Sequence, residues 1–277
     1  MVHREGKFRG NNNLNLYYQG WLPEGVPRAI LVVVNGLAEH SGRYAHLASY
    51  FVPRGYAVYS YDHRGHGKSE GLRCYVKRFS DYVEDLRTFV DIVHHEHSPA
   101  QIFLIGHSMG GTIAIAYAVH HQHELAGLML SGASLKIGST ISPTLIAMAG
   151  ILSLLLPKIG TTIIDASAIS QDKAVVDNYV NDPLVYRGKI RARLGAELIK
   201  TMQQLPSEMP EIDLPILIMH GTADRLSDPS GSQILFERVG SKDKTLKLYQ
   251  GFYHEIFSEP KAGQVFTDID SWLAIHI

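Results

Sequence analysis

A serine between two glycines stands where a buried strand would turn into a helix. The stretch from Ile102 to Gly111 reads IFLIGHSMGG, an apolar run followed by Gly-x-Ser-x-Gly, and a helix-like segment from Thr112 to His121 comes after it. In a strand–turn–helix setting this motif forms a nucleophile elbow, a turn so sharp that the serine is strained and its hydroxyl is exposed. Ser108 is therefore the predicted nucleophile of an acyl transfer.

The residues around Ser108 support this interpretation. A side chain at Gly106 or Gly110 is expected to collide with the neighbouring strand or helix, so glycine is required at both positions. The helix that follows points its N-terminus at the serine, and its free N–H groups favour negative charge there. The motif, the apolar run before it and the helix-like segment after it all indicate a nucleophile elbow at Ser108.

A serine hydroxyl needs a base to take its proton, and the base needs a partner that orients it. With an elbow of this kind, the acid and the histidine follow in that order, each in a loop after a late strand. The stretch ILIMHGTAD (216–224) ends in Asp224, and LKLYQGFYH (246–254) ends in His254. We predict that Ser108, Asp224 and His254 form a catalytic triad.

Other carboxylates and histidines compete for these roles. Asp228 precedes Pro229 and is better placed to cap the next helix, whereas Asp213 comes before the strand, at the wrong end of the sheet. His107 adjoins the nucleophile, but its side chain is expected to point away from the hydroxyl. Six further histidines lie in helical or post-helical surface segments, at positions 94, 95, 97, 120, 121 and 123. No carboxylate cluster accompanies these six, so no metal site is predicted.

Acyl transfer also needs two N–H donors aimed at the tetrahedral intermediate. Met109, directly after the nucleophile, is predicted to supply one of them. The other is expected from Leu37, in the loop that follows the apolar run 29–34, where Gly36 lets the backbone turn. These two amides are the predicted oxyanion hole.

The elements that must hold these groups alternate between strand and helix. The residues 80–95 form an amphipathic helical pattern, and short β-branched runs before and after it predict strands buried on both faces. Such alternation requires a mainly parallel sheet with right-handed crossovers, hence an α/β fold. The alternation of Leu14, Leu16 and Tyr18 with polar neighbours predicts a first strand that ends before Trp21. The other predicted strands are 29–34, 56–61, 102–107, 125–130, 216–220 and 245–249, with further helices at 44–52, 112–121, 232–239 and 264–275.

An insertion interrupts this alternation after Ser131. Residues 137–157 carry no charged side chain, a length that could span a membrane. Pro143 and Gly150 break the run, and core strands that must pair lie on both sides of it, so a cap over the active end of the sheet is favoured. The predicted division is core 1–132, helical cap 133–210 and core 211–277.

Composition excludes several classes of protein. Of 277 residues 45% are hydrophobic and 19% charged, so a large core is available. The net charge of −1, without a long basic run, argues against a nucleic-acid partner. Cys74 is the only cysteine, which rules out an intramolecular disulfide and a Cys-based zinc site. The segment 1–19 is polar and lacks the apolar core of a signal peptide, so a cytoplasmic location is predicted.

Taken together, the motifs resemble the monoglyceride lipase and lysophospholipase group of serine α/β-hydrolases. The matching stretches are spread over nearly the whole chain, at 36–44, 62–69, 106–110, 181–184 and 221–225. The resemblance implies an α/β-hydrolase fold with a helical lid, the same triad and oxyanion donors, and no cofactor. It also implies hydrolysis of a monoacylglycerol to a fatty acid and glycerol. The chain departs from the pattern at Asn35, where the family has a histidine.

The resemblance further implies a lid that rests on membranes and admits an acyl chain. The apolar cap supports this independently, because so apolar a surface covers a pocket or meets lipid. The predicted partners are a small lipid ester and, transiently, a membrane surface; the oligomeric state is left open. The predicted substrate contacts are Leu145, Met148, Ile151, Leu152 and Leu184.

Other functions use the same scaffold. A lysophospholipase or a broad medium-chain carboxylesterase would have the same machinery and differ only in its pocket. An aminopeptidase would need an acidic cluster in the cap, and a dehalogenase or epoxide hydrolase would need an aspartate in place of Ser108. A non-catalytic binding protein would normally lack a triad residue. Asp62, Arg64 and His66, clustered after a strand, are read as buried contacts that hold a turn rather than as substrate ligands.

Overall fold

One mixed sheet of eight strands organises the part of the chain that the computed structural model describes, residues 1–136 and 150–277. The strands are β1 (Val2–Arg9), β2 (Asn15–Leu22), β3 (Ile30–Val34), β4 (Ala57–Tyr61), β5 (Ile102–His107), β6 (Gly127–Ser131), β7 (Gly160–Thr162), β8 (Ile190–Arg191), β9 (Ile216–Gly221) and β10 (Lys244–Tyr249). In the large sheet their order is β1-β2-β4-β3-β5-β6-β9-β10, whereas β7 and β8 pair with each other.

Six strands of the large sheet run parallel, from β4 to β10, and β1 and β2 join them antiparallel. In register, Val34 lies opposite Gly106, and Ser131 lies opposite both His107 and Met219. The loops after β3, β5, β6, β9 and β10 therefore open at the same edge of the sheet, which is where ligands bind in folds of this kind. The predicted α/β fold with a mainly parallel sheet is confirmed.

Helices cover both faces of this sheet. They are α1 (Ala45–Phe51), α2 (Ser80–His97), α3 (Met109–His121), α4 (described over 150–155), α5 (Lys173–Asn181), α6 (Ala192–Glu208), α7 (Ser230–Arg238) and α8 (Ala262–Leu273). Ile30 and Val32 of β3 face α2 and α3, whereas Leu31 and Val33 face α1 and α8. Because side chains alternate along a strand, this continuous apolar run is buried on both sides.

The insertion lies between β6 and β9 and carries α4, α5, α6 and the β7–β8 ribbon. It has a small apolar cluster of its own, in which Ile169, Tyr179 and Val185 are buried. It is also tied to the core, since the amide of Tyr186 donates to the carbonyl of Ala38 over 2.8 Å. Helix α6 packs into the main core through Leu194 and Leu205. The predicted boundaries of the cap, at residues 133 and 210, stay a prediction.

The N-terminal strand β1 did not appear among the predicted elements. Its sequence VHREGKFR is half charged and mostly exposed, and it pairs with β2 in a register that sets Val2 against Leu22. Charged side chains are typical of edge strands, where they discourage pairing with another chain. The sequence of β1 lacks the alternation of apolar and polar residues that marks a half-buried strand. The strand is therefore recognised from its pairing with β2 and not from its composition.

Within residues 1–136 and 150–277, no helix is both long enough and apolar enough to cross a membrane.

Candidate active site

Ser108 stands at the sharp junction between β5 and α3. Its φ of 54° and ψ of −122° place a non-glycine residue in a strained region of the backbone. A Cβ on Gly106 would come within 2.7 Å of the Cα of Gly111, and one on Gly110 would overlap the carbonyl oxygen of Val34. Both glycines therefore allow the close approach of strand and helix that makes the turn.

The elbow is held by the neighbouring strand as well. The amide of Ser108 donates to the carbonyl of Ser131 over 3.0 Å, and the amide of Ser134 donates back to the carbonyl of Ser108 over 3.1 Å. Thr112 adds a hydrogen bond from its hydroxyl to the Ser134 carbonyl, 2.6 Å long. The strained residue is thus fixed from two sides.

Asp224 and His254 meet in the loops that follow β9 and β10. The Nδ1 atom of His254 lies 2.7 Å from Oδ2 of Asp224. The other carboxylate oxygen accepts from the amides of Leu226 and Ser227, over 2.8 and 3.0 Å. With Nδ1 engaged in this way, the free nitrogen Nε2 of His254 is left for proton transfer.

The charges of this pair support each other. Burial opposes ionisation of Asp224, but His254 and the hydrogen bonds to the carboxylate outweigh it and hold the pKa of Asp224 well below its ordinary value. Burial likewise opposes the imidazolium, yet the nearby Asp224 carboxylate raises the pKa of His254 above its ordinary value. The arrangement stabilises the positive imidazolium that a base forms when it takes a proton.

Ser108 and His254 line the same cavity. Among the described residues, the hydroxyl of Ser108 has its hydrogen bond with the hydroxyl of Ser134, at 3.4 Å, and Ser134 in turn contacts the hydroxyl of Ser227 at 3.0 Å. The Asp224–His254 pair is therefore assembled, and it shares its cavity with the hydroxyl of Ser108. Catalytic hydrogen bonds often tighten only when a substrate is bound.

His107, next to Ser108, faces the imidazole of His254. Its ring centre lies 4.8 Å from that of His254, and its Nδ1 lies 3.1 Å from the hydroxyl of Ser131. Burial, reinforced by the charge of His254, lowers the pKa of His107 to about 3. His107 is therefore a neutral packing partner of the base at ordinary pH.

The loop after β3 passes directly beside the nucleophile. A Cβ on Gly36 would lie 3.2 Å from that of Ser108, and Leu37 and Met109 line the cavity with the serine. Both residues thus lie beside the serine, and their role as the two oxyanion donors stays a prediction.

Glu39 holds this loop in place. Its Oε1 accepts from the amide of Gly36 over 2.5 Å and from the hydroxyl of Tyr44 over 2.8 Å, while Oε2 lies 3.0 Å from Nε of Arg43. Burial opposes its charge, but Arg43 and these donors lower the pKa of Glu39. The residues alone did not single out Glu39, although it lies inside the matching stretch 36–44 and three positions after the turning glycine.

Arg43 links the loop to the segment that carries His254. Its guanidinium donates to both carboxylate oxygens of Glu255, over 2.8 and 2.6 Å. Glu255 follows His254 directly and is buried, as are Arg43 and Glu39 for the most part. A buried ion-pair network of this kind fixes relative positions more than it adds stability.

Asn35 occupies the position where the resemblance led us to expect a histidine. Its side-chain amide donates to the carbonyls of Gly36 and Glu39, over 3.2 and 3.4 Å, and its backbone carbonyl lies 2.9 Å from Nε2 of His63. Asn35 thus holds the loop through bonds to the loop's own backbone.

The cluster after β4 makes internal contacts. The carboxylate of Asp62 accepts from the amides of Ser41 and Lys68, each over 2.7 Å, and Arg64 forms a two-pronged pair with Asp85 at 2.6 and 2.7 Å. These bonds hold a turn behind the loop of Glu39. Asp228, in the loop after Asp224, accepts a hydrogen bond from the amide of Ser230 at the start of α7.

A cavity of about 200 Å³ opens over Ser108 between the sheet edge and the insertion. Its described apolar wall consists of Leu37, Met109, Ile164, Ile169, Tyr179, Leu198, Met202 and Leu226. Among the described residues that line the cavity, Ile151, Leu152 and Leu184 do not occur, and the side chain of Ile151 is 59% exposed. Their role as substrate contacts stays a prediction. Leu145 and Met148 lie outside the described residues.

Comparison with known families decides the class of this site. A family model described as serine aminopeptidase, S33 (Hydrolase_4) matches residues 25–261. The chain belongs to this family of serine hydrolases. In this chain the turn that carries Ser108 and the loops that carry Asp224 and His254 stand together at one edge of the sheet.

Several proteins resemble this serine hydrolase over most of their own length. A monoacylglycerol lipase of Mycolicibacterium smegmatis is 40% identical, over 99% of this chain and 98% of its own. The human monoglyceride lipase is 36% identical, over 99% of this chain and 89% of its own. The crystal structure of a soluble variant of yeast monoglyceride lipase, in complex with a substrate analogue, superposes with a TM-score of 0.88 at 26% identity, covering 100% of this chain and 95% of that one. The predicted fold and enzyme class are confirmed.

Proposed function

We propose that this serine hydrolase cleaves monoacylglycerols into a free fatty acid and glycerol through an acyl-enzyme intermediate. The observation that carries the proposal is the Asp224–His254 pair beside Ser108 at the floor of a largely apolar cavity. Full-length relatives that bear the name of monoacylglycerol lipase support the choice of substrate.

The mechanism follows from the positions of the groups. His254 takes the proton of Ser108 as the hydroxyl oxygen attacks the ester carbonyl, and Asp224 holds the imidazole in the required tautomer. The amides of Leu37 and Met109 stabilise the oxyanion of the tetrahedral intermediate. His254 then gives its proton to the departing glycerol oxygen. Water activated by the same imidazole hydrolyses the acyl-enzyme and releases the fatty acid.

The cavity divides naturally between the two parts of such a substrate. The apolar side chains from the insertion, such as Ile164, Leu198 and Met202, suit an acyl chain. The charged side chains of Glu39 and Glu255 lie on the side of His254, where a small polar alcohol would leave.

We also propose that the insertion touches a membrane surface transiently while the protein takes up substrate. Leu154, Leu155 and Leu156 are more than half exposed on the helix α4 and directly after it, and Ile159 and Ile163 continue this apolar edge. Exposed apolar groups of this number favour contact with lipid. The cytoplasmic location predicted from the sequence stays a prediction.

The test is hydrolysis of monoacylglycerols of graded chain length by the wild type and by Ser108→Ala, with a lysophospholipid and a triacylglycerol as competing substrates. We expect monoacylglycerol to be preferred and kcat to fall by about 10⁴-fold or more in the variant. Preference for the lysophospholipid would replace the proposed substrate and leave the mechanism in place. Unimpaired turnover by Ser108→Ala would contradict the mechanism itself.

A further inference from the structure

A second histidine contacts the acid of the triad. His220 is the fifth residue of β9, four positions before Asp224, and its side chain is completely buried. Its Nε2 lies 3.0 Å from Oδ2 of Asp224, the same oxygen that lies 2.7 Å from Nδ1 of His254. Two imidazoles therefore share one carboxylate oxygen.

The surroundings of His220 determine which of its nitrogens carries the proton. Nε2 faces the Asp224 carboxylate and, at 3.3 Å, the carbonyl of Ser227; both groups only accept hydrogen bonds, so Nε2 carries a hydrogen. Nδ1 lies 2.7 Å from the hydroxyl of Ser232, a buried residue of α7 that can donate to it. Both ring nitrogens are thus satisfied.

We propose that His220 is a positioning residue for the reaction, which fixes the Asp224 carboxylate and sets how much of its negative charge faces His254. This inference rests on the proposed function only in so far as Ser108, Asp224 and His254 carry out the chemistry. His220 touches neither the cavity nor the nucleophile in the described structure, and acts through Asp224 alone.

The bonds to Asp224 explain why such a residue is needed. The amides of Leu226 and Ser227 hold Oδ1 from within the same loop, so they move with it. His220 holds Oδ2 from a core strand and, through Ser232, from helix α7. It is the contact that ties the catalytic carboxylate to the rigid sheet.

Two amide variants separate the hydrogen bond from the packing. In His220→Gln the amide nitrogen can reach the place of Nε2 and donate to Asp224, whereas in His220→Asn it reaches only as far as Nδ1. We expect the Asn variant to lose about 10- to 100-fold in kcat per active site, the range for a hydrogen bond to an ionised group. The Gln variant should recover most of that loss.

The pH profile provides a readout that packing alone would not change. The value of kcat/KM rises with pH as His254 loses its proton. The acid limb of the plot of kcat/KM against pH therefore marks the pKa of His254 in the free enzyme. Without the donor from His220, more of the carboxylate charge faces His254 and stabilises the imidazolium. The acid limb of the Asn variant should therefore move to higher pH, while that of the Gln variant stays near the wild-type position.

The assay uses the full chain with a soluble p-nitrophenyl butyrate and a monoacylglycerol, and active sites are counted with a fluorophosphonate. Wild-type kcat in His220→Asn, an equal loss in both amide variants, or an unmoved acid limb would each overturn the proposal. Should His220→Asn fail to fold, Ser232→Ala carries the test, with a smaller loss in the same direction expected and wild-type behaviour overturning the idea. Failure of the proposed substrate would appear separately, as wild-type turnover of the butyrate without turnover of the monoacylglycerol.

Discussion

The catalytic edge of the sheet and the exposed edge of the insertion are built in opposite ways. At the catalytic edge, Asp224 accepts hydrogen bonds from His220, His254 and two backbone amides, and Glu39 accepts from Gly36, Tyr44 and Arg43. Along the insertion, Leu154 and Leu155 are 71% and 74% exposed.

The difference follows from what each region has to do. Proton transfer and oxyanion stabilisation are sensitive to small changes in the distances between the reacting groups, and directed hydrogen bonds hold these distances. Contact with lipid depends on apolar area and has no preferred direction. Substitutions at the catalytic edge should therefore change rate constants, whereas substitutions on the exposed edge should change binding to a surface and leave the chemistry intact.

The largest effect is expected from Asp224→Asn. The amide would leave His254 without its orienting charge and in the wrong tautomer, and kcat should fall by about 10⁴-fold. The measurement is the hydrolysis of a soluble p-nitrophenyl ester at saturating concentration. Asp228→Asn is the matched control, because this carboxylate lies in the same loop but caps the start of α7, and it should keep near wild-type activity. Similar losses in both variants would mean that the loop, and not the triad, is being damaged.

A smaller effect is expected from Glu39→Gln. The amide keeps the size of the side chain but replaces a charge-assisted bond to Gly36 by a neutral one, so the oxyanion loop is held less firmly. We expect kcat to fall by about 10-fold with little change in KM. Glu255→Gln, which alters the same buried network at a point that does not touch the loop, should cost less. A greater loss of kcat in Glu255→Gln than in Glu39→Gln would mean that the network acts mainly by positioning His254 and not the oxyanion loop.

The smallest effect on chemistry is expected from the pair Leu154→Ser and Leu155→Ser. Removing these exposed side chains should leave kcat/KM for a soluble ester unchanged and weaken binding to liposomes by about 10-fold or more, in proportion to the apolar area lost. Cosedimentation with liposomes measures the binding. Ile275→Ser is the control, since Ile275 is 77% exposed but lies outside the insertion. Unchanged liposome binding in the double variant would remove the proposed membrane contact.

The sequence by itself was sufficient for the fold class, and the triad could be predicted from it. The elbow is a local feature, because Gly106, Ser108 and Gly110 lie within five residues of one another and their conformational demands can be read from residue type. Asp224 and His254 each follow a strand with a recognisable apolar pattern. Parallel strands end at one edge of the sheet, so the meeting of these loops followed from topology alone.

Only the tertiary structure decided which distant side chains support them. Arg43 and Glu255 are 212 positions apart, and His220 meets Ser232 through the packing of α7 on β9. The described cavity wall likewise includes Ile164, Leu198 and Met202, which the sequence did not single out as substrate contacts. No local pattern encodes such contacts, because they depend on how whole elements pack and on which face of each helix is turned toward the core.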